Sequence, residues 1–227
     1  MGGKRDTMEK DIEKAILNGE NLDVWDLITP LKTLLERYYL YVRPDGKLDK
    51  LIAAQAWNNP WIHFNREPEN YCAAYHMIYF ECFNIIPKFC TSCWKIAIYP
   101  TNYDELMKVY KVLSESGLPS KCGIDERGLG RLYGGYIYFK SQDEAVKVHK
   151  DIKELLPDLE STVKCACTEF ANKLGDPAQW VVTAEQLQLE SLLREWLAVD
   201  ENVYTQPPYL KAFIVKKWRE FSQKHVP

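Results

Sequence analysis

Residues 133–152 read YGGYIYFKSQDEAVKVHKDI, and the change of rhythm halfway along decides the fold class. Up to Lys140 the stretch is aromatic and β-branched, the composition of a strand. From Ser141 the spacing changes. Ser141 followed three residues later by Glu144 is a capping box, in which a hydroxyl and a carboxylate satisfy the first backbone donors of a helix. Ala145, His149, Ile152 and Leu156 then recur on one helical face.

Working outward, the same alternation of period appears twice more. STVKCACTEF (161–170) predicts a strand after the capped helix. Upstream, WKIAIYP (94–100) predicts a strand, and Thr101 to Ser116 a helix with Leu106, Val109, Tyr110 and Leu113 on one face, closed by Gly117. KCGIDER (121–127) predicts a short strand, joined to the third by a loop containing Gly128 and Gly130. The order β-α-β-β-α-β is that of the ferredoxin-like fold. The expectation is therefore an α+β protein with a ferredoxin-like βαββαβ core, a four-stranded antiparallel sheet in spatial order 4-1-3-2, flanked by N- and C-terminal helices. The name describes topology and implies no cluster.

Three regions follow. Residues 1–89 predict a helical, aromatic-rich N-terminal region, with helices at 8–18, from about 22 to the Pro44-Asp45-Gly46 turn, at 47–57 and at 68–87. Residues 90–170 form the ferredoxin-like core. Residues 171–227 predict helices packing on that core, one capped by Thr183 and Gln186, another opening at Pro207-Pro208. The last carries Leu210, Phe213, Ile214, Trp218 and Phe221 on one side and Lys211, Lys216, Lys217, Arg219 and Lys224 on the other.

Bulk properties narrow the function. A 227-residue chain with 46% hydrophobic and 27% charged residues is that of a soluble globular protein. A net charge of −3 argues against a broad polyanion-binding field. No apolar run is long enough for a membrane span, and MGGKRDTMEKDIEK carries neither a signal-peptide core nor a myristoylation pattern. The expected location is cytoplasmic, where seven cysteines, an odd number, point away from a disulfide framework.

The cysteines are the chemical feature. Cys90 and Cys93 form C-x-x-C at the mouth of the first core strand, Cys122 opens the second, and Cys167 closes the fourth. In the 4-1-3-2 order these ends share one edge of the sheet. Four thiolates there would hold zinc in a closed, structural site, or alternatively an iron–sulfur cluster. Cys165 is the reserve for Cys167, because strand parity sets Cys93 and Cys167 on opposite faces. A redox dithiol and inert buried thiols are the competing readings. Whether the protein is an enzyme stays open. If reaction occurs at the cysteine edge, Glu169 is the candidate acid or base. Asp125, Glu126, Arg127 and Arg131 read as a solvated hairpin tip, and His149 as a core residue. The Cys72–His76 pair reads as core also.

YGGYIYFKSQDEAV resembles part of the RNA-recognition-motif signature. Gly135, Tyr136, Ile137 and Phe139 match its final positions, while Leu132, Tyr133 and Gly134 depart from its first half. The resemblance implies RNA binding on the open sheet face through Tyr99, Tyr136 and Tyr138, without a metal. Basic and acidic residues nearly balance over 93–169, which works against phosphate binding there. The sequence leaves the partner unknown; a protein or an RNA is compatible with it, and no membrane is expected.

Overall fold

A computed structural model describes residues 40–42, 48–50, 60–65, 86, 88–125, 131–165, 167–184, 186–188, 190–191 and 206–225. The chain divides into two compact units. The first comprises 1–57, 68–88 and 181–201, the second 58–67, 89–180 and 202–227. The N-terminal helix expected at 8–18, and residues 68–85 of the one expected at 68–87, with Cys72 and His76, lie outside the described residues.

In the first unit, β1 (Leu40–Val42) pairs antiparallel with β2 (Leu48–Lys50). Helix was expected at both places. The strands flank the segment holding Pro44-Asp45-Gly46, a turn composition that favours a hairpin, and Leu-Tyr-Val is a good strand sequence. Thr183 caps as expected, its Oγ1 accepting the Gln186 N–H at 3.2 Å.

The second unit is α+β. Its elements are β3 (Trp61–Phe64), α1 (Lys88–Thr91, shared with the first unit at Lys88), β4 (Trp94–Ile98) and α2 (Tyr103–Glu115). There follow β5 (Ser120–Ile124), β6 (Tyr133–Phe139), α3 (Gln142–Leu155) and β7 (Ser161–Cys165). α4 (Thr168–Leu174), a 3-10 turn (Pro177–Gln179) and α5 (Pro208–His225) complete it. The strands form one antiparallel sheet in the order β3-β5-β6-β4-β7.

The expected sheet of four strands is therefore corrected to five. The added strand, WIHF, has only four residues between Pro60 and Asn65, whose φ is 44°. Its partner β5 is more than fifty residues away, so nothing local marks it as a strand.

The caps explain why α2 and α3 start where they do. Asn102 Oδ1 accepts the Glu105 N–H at 2.9 Å, and Glu105 Oε2 reaches back to the Thr101 N–H at 2.7 Å and its hydroxyl at 2.9 Å. Ser141 Oγ accepts the Glu144 N–H at 3.3 Å. Gly117, at φ 68°, follows the end of α2.

Helices cover one face of the sheet. α2 packs on β5 and β6, α3 on β7, β4 and β6, and α5 on α2 and β3. The core between them holds Ile62, Ile96, Ile98, Leu106, Val109, Leu113, Ile124, Ile137, Ala145, Ile152, Ile214 and Trp218, all buried. Gly135 sets the approach of α2: a Cβ there would stand 2.6 Å from Val109 Cγ1. Position 135 thus faces the helices, and alternation assigns every other strand position from it.

Candidate functional site

The four cysteines expected to converge are divided by register. Cys165 ends β7 opposite Trp94. Its Sγ donates to the carbonyls of Thr91 at 3.4 Å and Cys90 at 3.9 Å, and the Cys93 N–H bonds the Cys90 carbonyl at 3.4 Å. The C-x-x-C segment and the end of β7 therefore meet. Cys122 does not join them. It pairs with Ile62 and Gly135, and Gly135 lies opposite Ile98. That row is four residues from the Trp94–Cys165 row, about 13 Å along the strands.

The cause is a shift at the start of β5. Its first residue, Ser120, stands opposite Ile137 and hence level with Ile96, two residues into β4. Cys122 faces the helices with 0% exposure, and burial pushes its thiol pKa far up, with only a small opposing effect of Lys211. It stays a neutral apolar side chain. Among the described residues no group of three or more Cys, His, Asp or Glu side chains is placed to hold a metal ion.

Cys167 leaves the parity of the strand. β7 ends at Cys165, and Cys167 becomes the residue before α4, with extended backbone. Its Sγ meets Lys95 Nζ at 3.6 Å. Lys95 lies on the face away from α2, α3 and α5, the face that strand parity gives Cys93 but denies Cys167. Glu169 falls within α4; its side chain is outside the described residues.

That second face carries the richer arrangement. Alternation places Trp61, Lys95, Lys121, Tyr136, Tyr138, Thr162 and Lys164 on it. The Trp61 and Tyr136 rings stand 5.7 Å apart, tilted by 39°. Lys121 Nζ lies 4.7 Å from the Trp61 ring centre and 5.5 Å from that of Tyr136, and Lys95 Nζ lies 5.6 Å from the Tyr136 ring. Glycine makes the room. Trp61 pairs with Gly123, which pairs with Gly134, and a Cβ on Gly134 would touch the indole tip at 3.4 Å.

Lysine is depleted in strands, yet Lys95 and Lys164 stand directly opposite each other and Lys121 lies two strands away. Strands β3 to β7 contain no Asp or Glu. Like charges directly opposite are unfavourable by themselves. Its centre is covered, with Lys95 4% and Ala97 0% exposed, and Trp61 is buried too, at 9%. Tyr99, Lys121, Tyr136, Tyr138 and Lys164 are half-buried and present their outer parts.

At the end where β4 leaves the sheet, Arg131 lies 4.4 Å from the Tyr99 ring centre and pairs with Glu160 at 2.7 Å. The hydrogen bond to Glu160 holds the guanidinium pKa above its ordinary value. Tyr99 adds a backbone bond to the Glu160 carbonyl at 2.9 Å, and its hydroxyl meets Thr162 Oγ1 at 3.2 Å. His149 Nε2 contacts Ser161 Oγ at 2.9 Å, and burial lowers its pKa.

Sequence reasoning named Tyr99, Tyr136 and Tyr138 for this face but missed Trp61, Lys95, Lys121 and Lys164. A signal existed for the lysines: each sits inside a short apolar strand, where a charged side chain must take the face without helices. For Trp61 no local signal existed, since its strand was itself unrecognised. Comparison of the chain with protein-family models, with curated proteins and with solved structures gives no match.

Proposed function

We propose that the lysine-bearing face of the sheet binds a single-stranded RNA, with a base stacking at Tyr136, which the buried Trp61 ring backs, and phosphates met by Lys121 and Lys164. The observation that carries this reading is the Trp61–Tyr136 pair with Lys121 over both rings. Aromatic faces beside lysines are how proteins hold single strands without reading sequence, each stacked base contributing about 1–3 kcal/mol. The chain as a whole is acidic, yet this one face concentrates positive charge without strand carboxylates. We further read β4 to β7 as a ferredoxin-like β-α-β-β-α-β unit, neighbours in the order 4-1-3-2, with β3 added beyond β5. That frame suits the resemblance of residues 133–146 to the RNA-recognition motif. The odd cysteine count suits a reducing cytoplasm as the compartment.

The test is fluorescence anisotropy of a labelled oligouridine at low and moderate salt. Binding that weakens with salt and is lost in Trp61→Ala and Tyr136→Ala supports the reading. Equal affinity in wild type and both variants, or no binding at low salt, removes it.

Zinc, or an iron–sulfur cluster, on Cys90, Cys93, Cys122 and Cys167 is a lower-ranked proposal. It needs Cys122 to be exchanged for another thiol, and Cys165 is the one whose sulfur already contacts the Cys90 and Thr91 carbonyls. Elemental analysis and an absorption spectrum of protein purified without oxygen decide it. One equivalent of zinc, or iron with sulfide, would raise this reading above the first, and metal-free protein ends it.

A further inference from the structure

We propose that Lys95 and Cys167 form a covalent nitrogen–sulfur cross-link when the protein meets a peroxide, so that this pair is an oxidant-responsive modification site. The proposal is independent of RNA binding. It rests on two side chains of different elements that converge. Lys95 sits in the second position of β4, is 4% exposed, and directs its Nζ along the sheet to within 3.6 Å of Cys167 Sγ. Cys167 itself is only half-buried, unlike Cys90 and Cys122.

The other thiols are placed for different fates. Cys122 is fully buried, and Cys90 is 2% exposed. Cys165 points its S–H at the carbonyl oxygens of Cys90 and Thr91. The Cys167 sulfur stands at contact distance from the Lys95 ammonium, and it is the thiolate form of a cysteine that peroxides attack. The long flexible stem of lysine allows Nζ to close on the sulfur without moving the strand.

The chemistry balances in two steps. Hydrogen peroxide takes two electrons from the Cys167 sulfur. Its O–O bond breaks, one oxygen stays on sulfur as sulfenic acid, and the other leaves as water. The Lys95 amine, its ammonium proton released to solvent, then attacks that sulfur. The N–S bond forms as the S–O bond breaks, and the departing hydroxide takes a second amine proton as water. In sum, one amine hydrogen and the thiol hydrogen are lost and one peroxide becomes two waters. A nitrogen attacking a sulfenic acid to give a sulfenamide is the known reaction of backbone amides, here offered to a better nucleophile. The product ties β4 to the start of α4 and withdraws the Lys95 charge from beside Tyr136.

The experiment is mild hydrogen peroxide treatment of the full-length protein, followed by intact mass measurement and tryptic mapping. The expected product is lighter by about 2 Da, and its map shows residues 95 and 167 joined in one species with cleavage after Lys95 lost. In Lys95→Arg the link is absent and Cys167 proceeds to sulfinic acid; in Cys167→Ser cleavage after Lys95 is unchanged. The wild-type map decides the question alone should either variant fold poorly. Cys167 recovered as a disulfide with another cysteine, or as sulfinic acid with Lys95 still cleaved, overturns the proposal.

Discussion

The side chain of Gln206 is joined to His63 as a neighbouring strand would be: Gln206 Oε1 accepts the His63 N–H at 2.8 Å, while Gln206 Nε2 donates to the carbonyl of Trp61 at 3.0 Å. One carboxamide thus occupies a donor and an acceptor on the outer edge of β3. Trp218 Nε1 adds a bond to the Pro60 carbonyl at 2.6 Å. The C-terminal segment thereby closes a sheet edge that would otherwise be open to strand addition.

Gln206 is only 4% exposed, so its replacement strands buried backbone groups. Gln206→Leu is expected to lower stability by about 2–3 kcal/mol, the cost of leaving a buried donor and acceptor unsatisfied. Urea unfolding measures it. A change below about 0.5 kcal/mol would mean that water replaces the carboxamide at little cost.

Gly135→Ala tests the helix–sheet contact. The new Cβ would meet Val109 Cγ1 at 2.6 Å, and valine is stiff at χ1, so α2 must shift. The expected loss is about 1–3 kcal/mol by thermal or urea unfolding. Wild-type stability in this variant would show that α2 does not lie where described.

Lys121→Ala tests the proposed interface by its salt dependence. Removal of one phosphate contact is expected to weaken oligouridine binding at low salt and to reduce the slope of log affinity against log salt by roughly 0.7, the single-strand increment. Lys224→Ala on α5, away from that face, should leave the slope unchanged. Identical slopes in wild type and Lys121→Ala would remove Lys121 from the interface.

Glu105 gives a pH prediction. The backbone hydrogen bond from Thr101, foremost among several contacts, holds its pKa below the ordinary 4.5. A lowered folded-state value means that the carboxylate contributes stability above the unfolded value and loses it as pH falls through the folded one. Because the group is largely solvated, the contribution is about 0.5 kcal/mol. Glu105→Gln should therefore be less stable than wild type at pH 7, the gap closing as pH falls below 4.5. A gap of the same size at acid pH would assign the effect to something other than this charge.

Much of the second unit was legible along the chain. Ser141 with Glu144 marks the start of α3, and Gly117 the end of α2, through interactions a few residues apart. The spacing of Leu106, Val109 and Leu113 named the buried face of α2, because helix periodicity is itself local. The sheet was less legible. WIHF has too few residues to declare a period, and its pairing with β5 is a contact across the chain. The cysteine edge failed for a related reason. Topology orders strands but does not say at which residue each begins. β5 enters two residues beyond β4, and that carries Cys122 from the expected cluster to a buried row beside Ile98.

By itself, then, the sequence determined α2, α3 and α5, the Ser141 and Thr183 caps, the alternating strands β4 to β7 and the tyrosines of one face, all of which follow from interactions within a few residues. Only the tertiary structure decided the fifth strand, the register that parts Cys122 from Cys90 and Cys165, and the turn after Cys165 that brings Cys167 to Lys95. It also brought Trp61 beside Tyr136. Each of these depends on which distant backbone a strand edge meets, and that is settled by packing: the close approach of α2 over Gly135, the glycine gap beneath Trp61, and the clasp of Gln206 on β3.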